Sequence, residues 1–272
     1  MELLVVGGDR RHELLCELAR ARGWHVMSIG LPGSGACASQ ADVAVLPAPY
    51  ARDGYINAPL VDARLRVQEL ASHLKPGAQV YCGSPDAELR ELAAAQGWRV
   101  IDLYSDEAFA RRNALASAEG AIFAAMRERD SMISGADCLV IGFGRLGQML
   151  ALTLRGMGAR VRVAARREAS RALAECLGLE AVELSALALA LKGRALVFNT
   201  VPAKVLDGRA LTCVDADALV IETASAPYGV DFDAARELGV HVLREGGIPG
   251  RYCPRTAAAI ILDSLEAAKE AI

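Results

Sequence analysis

The amino-acid sequence predicts an α/β chain of two doubly wound parallel-sheet domains. Three observations carry this. Short apolar runs alternate with helical patterns from end to end, the signature of parallel sheets joined by crossover helices. Hydrophobic residues make up 53% and charged residues 23% of 272 positions, enough to fill the cores of two ordinary domains. One glycine-rich turn, Gly142-Phe143-Gly144-Arg145-Leu146-Gly147, lies between an apolar run and a helical stretch.

In the first half the expected strands are Glu2–Val6, His25–Ile29, Val43–Leu46, Gln79–Cys82 and Arg99–Leu103. Helical patterns fall near Arg10–Arg22, Asp62–Leu74 and Asp86–Gln96. A long helical region, Asp106 to Arg129, leads out of this domain, which is placed at 1–129 and read as flavodoxin-like. The second domain is placed at 130–254. Its strands are expected at 138–141, 160–164, 195–199, 219–222 and 240–243. The last helical stretch, 255–272, is expected to pack back on the first domain.

The glycine turn identifies the second domain. It follows the strand-like Cys138-Leu139-Val140-Ile141 and opens the helical stretch Leu146–Met157. The first glycine allows the tight turn, the second lets backbone approach a pyrophosphate, and the third lets helix and strand pack closely. The helix N-terminus offers unpaired N–H groups to the phosphates. The domain therefore reads as a Rossmann dinucleotide-binding domain. Such domains that take NAD carry an acid about 20 residues on, for the ribose 2′-hydroxyl. Here the segment is Val161-Arg162-Val163-Ala164-Ala165-Arg166-Arg167. Two arginines stand where the acid is expected, and arginine matches a 2′-phosphate in charge and geometry. NADP is expected as cofactor, with NAD as the alternative because Glu168 follows directly.

Ligands of open parallel sheets bind beyond the carboxyl ends of the strands. In the second domain those ends carry Gly142–Gly147, Arg166-Arg167, Thr200-Val201-Pro202, Thr223-Ala224-Ser225 and Gly246–Gly250, expected to rim one crevice. In the first domain they carry Gly7-Gly8-Asp9-Arg10, Pro47-Ala48-Pro49, Asn57-Ala58-Pro59 and Gly83-Ser84-Pro85. Asp9 also reads as a helix N-cap.

Several classes are excluded. A net charge of −3 with no basic stripe argues against nucleic-acid binding. The seven cysteines, Cys16, Cys37, Cys82, Cys138, Cys176, Cys213 and Cys253, include no C-x-x-C pair, so no metal site is expected. The four histidines, His12, His25, His73 and His241, belong to no hydrolase motif. No apolar run approaches the ~18 residues of a membrane span, and the first residues run straight into a strand. A reduced, cytoplasmic protein is expected.

The chain resembles the dipicolinate synthase A-subunit family over essentially its full length. The resemblance rests on Gly7-Gly8-Asp9-Arg10, Leu46-Pro47-Ala48-Pro49, Asn57-Ala58-Pro59 and Ala118-Glu119-Gly120-Ala121. It continues through Gly142–Gly147, Asn199-Thr200-Val201-Pro202, Gly247-Ile248-Pro249-Gly250 and Pro254-Arg255-Thr256-Ala257. It implies oxidation of dihydrodipicolinate to dipicolinate with a nicotinamide cofactor, in the mother cell of a spore former. It also implies a partner chain, a flavoprotein-like B subunit. Assembly as a homo-oligomer is expected as well. Where this chain has Ala116-Ser117, the family often has Pro-Thr. It usually has Asp at Glu222 and Lys at Arg255.

The expected catalytic residues are Glu119, Asp9 and Ser117, with Glu119 or Asp9 as the base. The expected substrate contacts are Arg10, Asn57, Asn113 and Arg255. The expected cofactor contacts are Gly142, Phe143, Gly144, Arg145, Leu146, Gly147, Arg166, Arg167, Thr200, Val201, Pro202, Ser225 and Gly247. One continuous helix puts Asn113 and Ser117 on one face and Glu119 off it. A helix beginning near Leu115 puts Ser117 and Glu119 in its first turn. Two other readings stand beside the leading one. One is a dehydrogenase of another small carboxylate. The other is a dinucleotide-binding chain without catalysis of its own.

Overall fold

The computed structural model describes residues 1–35 and 39–270. Cys37 lies outside the described residues, as do the last two residues of the expected final helix, 271 and 272. The chain divides into two compact units, 1–113 with 249–272, and 114–248.

The first unit opens with β1 (Glu2–Val6), α1 (Arg10–Ala21), β2 (His25–Ile29) and β3 (Ala41–Val45). A two-stranded antiparallel hairpin follows, β4 (Ala51–Arg52) and β5 (Tyr55–Ile56). Then come β6 (Leu74–Cys82), α2 (Ala87–Gln96) and β7 (Arg99–Asp102). The sheet order is β2-β1-β3-β6-β7, all parallel. Counting its own strands, this is the flavodoxin-like order. Alternation along β1 fills both faces. Leu3 and Val5 enter one core with Leu14 and Leu15 of α1, and Leu4 and Val6 enter the other with Leu89 and Trp98.

The second unit is entered along α3 (Glu107–Arg129), a single unbroken helix. It continues with β8 (Asp137–Ile141), α4 (Arg145–Gly156), β9 (Arg160–Ala165), α5 (Glu168–Cys176) and β10 (Glu180–Glu183). The short α6 (Leu187–Leu191) precedes β11 (Leu196–Asn199), α7 (Gly208–Leu211) precedes β12 (Leu219–Glu222), and α8 (Phe232–Glu237) precedes β13 (His241–Arg244). The order β10-β9-β8-β11-β12-β13 is again parallel throughout. It is the Rossmann order, with the switch point beside β8. The fold class is as expected. The chain ends with α9 (Ile248–Tyr252) and α10 (Pro254–Glu270). Ala258, Ile261, Leu262 and Leu265 of α10 pack into the core that α1 covers.

Three local expectations are corrected. The helix near Asp62–Leu74 reduces to a 3-10 segment at Val67–Ser72. The chain just before it is tied to β5 instead. Ile56 N–H donates to Leu65 O at 2.8 Å, and Arg64 and Arg66 each lie 5.5 Å from the Tyr55 ring centre. The strand expected to start at Gln79 starts at Leu74. The edge strand β10 was not expected; its Glu-Ala-Val-Glu sequence is too short and polar to announce itself.

Candidate functional site: a dinucleotide cavity

The Rossmann turn sits where β8 passes into α4. Gly142 has φ +93°, and a Cβ there would lie 2.4 Å from Thr200 Oγ1 and 2.9 Å from Val201 Cγ2. A Cβ at Gly147 would lie 2.2 Å from the Gly142 carbonyl oxygen. Gly144, the N-cap of α4, faces open space instead, with nothing within 4 Å of a Cβ. The two outer glycines are therefore required by packing, and the middle one leaves backbone open to a ligand.

A cavity of about 520 Å³ opens at this turn. It is lined by Gly142–Gly147, by Ala164–Arg167 at the end of β9 with Ser170 of α5, and by Thr200–Ala203 beyond β11. Leu184 and Val205 complete it. The lining carries Arg145, Arg166 and Arg167 and no carboxylate. Arg167 is also the N-cap of α5. The bend that presents the arginines is held from below: one Nη of Arg171 donates to Ala165 O at 3.1 Å and to Arg166 O at 2.8 Å. The opposite wall is fixed through Thr200, whose N–H and Oγ1 both donate to Ile141 O at 2.9 Å.

Of the five strand-end segments expected to rim one crevice, three line this cavity. Ser225 and Gly247 are exposed and do not line it. Ser170, Leu184, Ala203 and Val205 line it without having been expected. None belongs to a motif: Ser170 comes from α5, Leu184 from the chain just after β10, and Ala203 and Val205 from the run after Pro202.

In the first unit the strand ends gather Gly7, Gly8, Asn57 and Gly83. Gly7 and Gly8 have positive φ, and Gly8 N–H donates to Asn57 O at 2.7 Å. Asp9 caps α1 by accepting from Arg11 N at 3.1 Å. It also takes a two-point ion pair from the buried Arg11, Nε to Oδ1 and Nη2 to Oδ2, each 2.9 Å. Gly250 closes over the pair: a Cβ there would meet Asp9 Oδ2 at 2.1 Å. Burial works against the Asp9 charge, but the facing His12 and the Arg11 fork outweigh it and hold the carboxyl well below the usual range. Such a carboxylate accepts a proton poorly. Asp9 thus serves as cap and ion-pair partner, and of the two neighbouring arginines it is Arg11 that is buried. Arg10 is exposed and pairs with Glu13 at 3.1 Å. Arg255 is exposed, 4.0 Å from Glu17.

On α3 the continuous helix replaces the alternative that begins near Leu115. Asn113 and Ser117 share a face, Ser117 is buried, and Glu119 is exposed well off that face. Among the described residues no group of His, Cys, Asp and Glu is arranged to hold a metal ion. No described helix is long and apolar enough to cross a membrane.

A six-stranded Rossmann sheet with a glycine turn and a flavodoxin-like unit define the fold. The D-lactate dehydrogenase of Escherichia coli shares it, with TM-score 0.64 at 14% identity, covering 100% of this chain and 97% of that one. The particular resemblance is to the dipicolinate synthase A-subunit family. Residues 2–104 match the family model of the N-terminal domain of the dipicolinate synthase A-subunit. The A-subunit of Bacillus subtilis dipicolinate synthase is 26% identical over 280 residues, covering 97% of this chain and 94% of the relative. The crystal structure of the Bacillus halodurans A-subunit has TM-score 0.86 at 25% identity, covering 98% and 97% of the two chains.

Proposed function

We propose that the chain is the dehydrogenase subunit of a dipicolinate-forming enzyme and uses NADP. The reaction is dihydrodipicolinate plus NADP⁺ giving dipicolinate, NADPH and a proton. The cavity lined by three arginines and no carboxylate carries the cofactor assignment. The whole-length likeness to the dipicolinate synthase A-subunits carries the substrate.

The residues present fit the cofactor. The open backbone at Gly144 and the first N–H groups of α4 would take the pyrophosphate. Arg166 and Arg167 would take the 2′-phosphate, with Arg145 adding positive charge to the same cavity. The Thr200–Pro202 wall would bound the half of the dinucleotide nearer β11. When bound, NADP⁺ supplies a hydride acceptor. Asn113 and Ser117, on one face of α3, are proposed as substrate contacts. The two substrate carboxylates call for cations, and loss of hydride and proton is drawn forward by formation of the aromatic ring. The B subunit is proposed as the partner chain, and the naming of the relatives as one lettered component of a synthase supports it.

The test is turnover of the purified chain, with substrate generated in place by a lysine-branch synthase from pyruvate and aspartate semialdehyde. Reduced dinucleotide and the ultraviolet absorbance of the aromatic product are followed together. Equal rise of both with NADP⁺ is expected. Product without reduced cofactor, or no product with or without the B subunit, overturns the reading.

A further inference from the structure

Glu222, at the end of β12, is fully buried, as is Asn199 at the end of β11. Its carboxylate is surrounded by donors. Ala224 N–H reaches Oε1 at 2.8 Å, and the N–H groups of Gly229 and Val230 reach Oε2 at 2.9 Å. Asn199 Nδ2 is 2.9 Å from both oxygens. The same amide clasps the next loop: Nδ2 donates to Val201 O at 3.1 Å, and Oδ1 accepts from Val201 N–H at 3.2 Å. Two loops thus hang on one buried carboxylate. One is 223–230, which includes Tyr228 at φ +65°. The other is Thr200–Pro202, the wall of the dinucleotide cavity.

Space around this contact is closed. A Cβ at Gly229 would lie 2.1 Å from Asn199 Nδ2 and 2.7 Å from Val201 O. On the cavity side, Gly142 abuts Thr200 and Val201 in the same way. The wall is clamped between Gly142 in front and the Glu222–Asn199 pair behind. A buried charge is retained only where its partners repay the lost hydration. An apolar side chain here would leave the Gly229 and Val230 N–H groups and the Asn199 amide without this acceptor.

We propose that Glu222 is a positioning residue for the dinucleotide: acting through Asn199, it sets the Thr200–Pro202 wall and the 223–230 loop. This rests on the cofactor reading above. The strand order makes it specific. Along the carboxyl edge run the ends of β9 with Arg166 and Arg167, β8 with the glycine turn, β11 with Thr200, and β12 with Glu222. Glu222 stands at the end opposite the 2′-phosphate arginines, so its influence falls on the nicotinamide half.

The experiment titrates wild type, E222Q and G229A with NADPH and with 2′,5′-ADP, which carries only the adenosine end. In E222Q an amide NH₂ replaces one oxygen and opposes the surrounding donors. In G229A the added methyl displaces Asn199 with the carboxylate intact. The expected result is at least a tenfold loss of NADPH affinity in both variants, with 2′,5′-ADP affinity within twofold of wild type. E222D, which keeps the charge but draws it back, is expected to recover part of the loss. A merely structural role lowers both affinities together, and that outcome overturns the proposal. So does NADPH affinity unchanged in either variant that folds. Failure of wild type to bind either ligand instead removes the cofactor reading, and the proposal with it.

Discussion

His12 is buried, its Nδ1 3.7 Å from Asp9 Oδ1. Burial pushes its pKa below 6.5, and the Arg11 charge adds to this. The folded chain therefore binds fewer protons here than the unfolded chain, and stability is lost as pH falls through 6.5. Asp9 is depressed in the folded state, so its contribution is present above 3.8 and is lost only at lower pH. Between pH 7 and 5 the loss from this pair belongs to His12, at up to about 1.4 kcal/mol per pH unit. Urea denaturation of wild type and His12→Leu across that range should show a shallower slope in the variant. Equal slopes contradict the assignment. The cysteines give a second prediction at this scale. Burial pushes the Cys82 and Cys138 thiols up to about 12 and that of Cys16 up to about 11, while Cys176 is exposed. A thiol reagent at pH 8 should modify Cys176 at once and these three only on unfolding.

At the scale of elements, the C-terminal helix α10 completes a core. Leu262 is fully buried beside Leu14 and Leu15 of α1, so Leu262→Ala should cost about 2–5 kcal/mol in chemical denaturation. Arg22 pairs across the same helices with Asp263 and Glu266, but in solvent. Arg22→Ala should cost only about 0–1 kcal/mol. A larger effect of Arg22 than of Leu262 would mean that charge and not burial holds α10. At the turn into α4, Gly147→Ala sets a methyl against the Gly142 carbonyl. It should abolish dinucleotide binding, because the backbone that faces the pyrophosphate must move.

For the molecule as a whole, a ligand that binds only the folded state stabilises it by mass action. NADPH at a hundred times its Kd should add about 2.7 kcal/mol, read as a higher Tm. Much of this architecture was legible in the sequence. The apolar runs at Glu2–Val6 and Cys138–Ile141 and the glycine turn are local signals, and the structure has them where they were expected. What was not legible depends on distant partners. The segment before Val67 follows the β5 edge rather than its own helical periodicity. Arg10 and Arg11 read alike as cations available to a substrate after β1, and only the packing of Gly250 against Asp9 marks Arg11 as the buried one. Glu222 reads as a strand-end acid, and only the return of residues 224–230 surrounds it with donors.

The most direct measurement is a fluorescence titration of wild type and the Arg166→Ala/Arg167→Ala double variant with NADPH and NADH. Wild type should prefer NADPH at least tenfold. The double variant should lose that preference by weakening for NADPH, about 10–100-fold for the ~1.5–3 kcal/mol carried by charge-assisted bonds, while NADH affinity holds. Wild type that binds NADH as tightly as NADPH would contradict the assignment of the cavity to a 2′-phosphate.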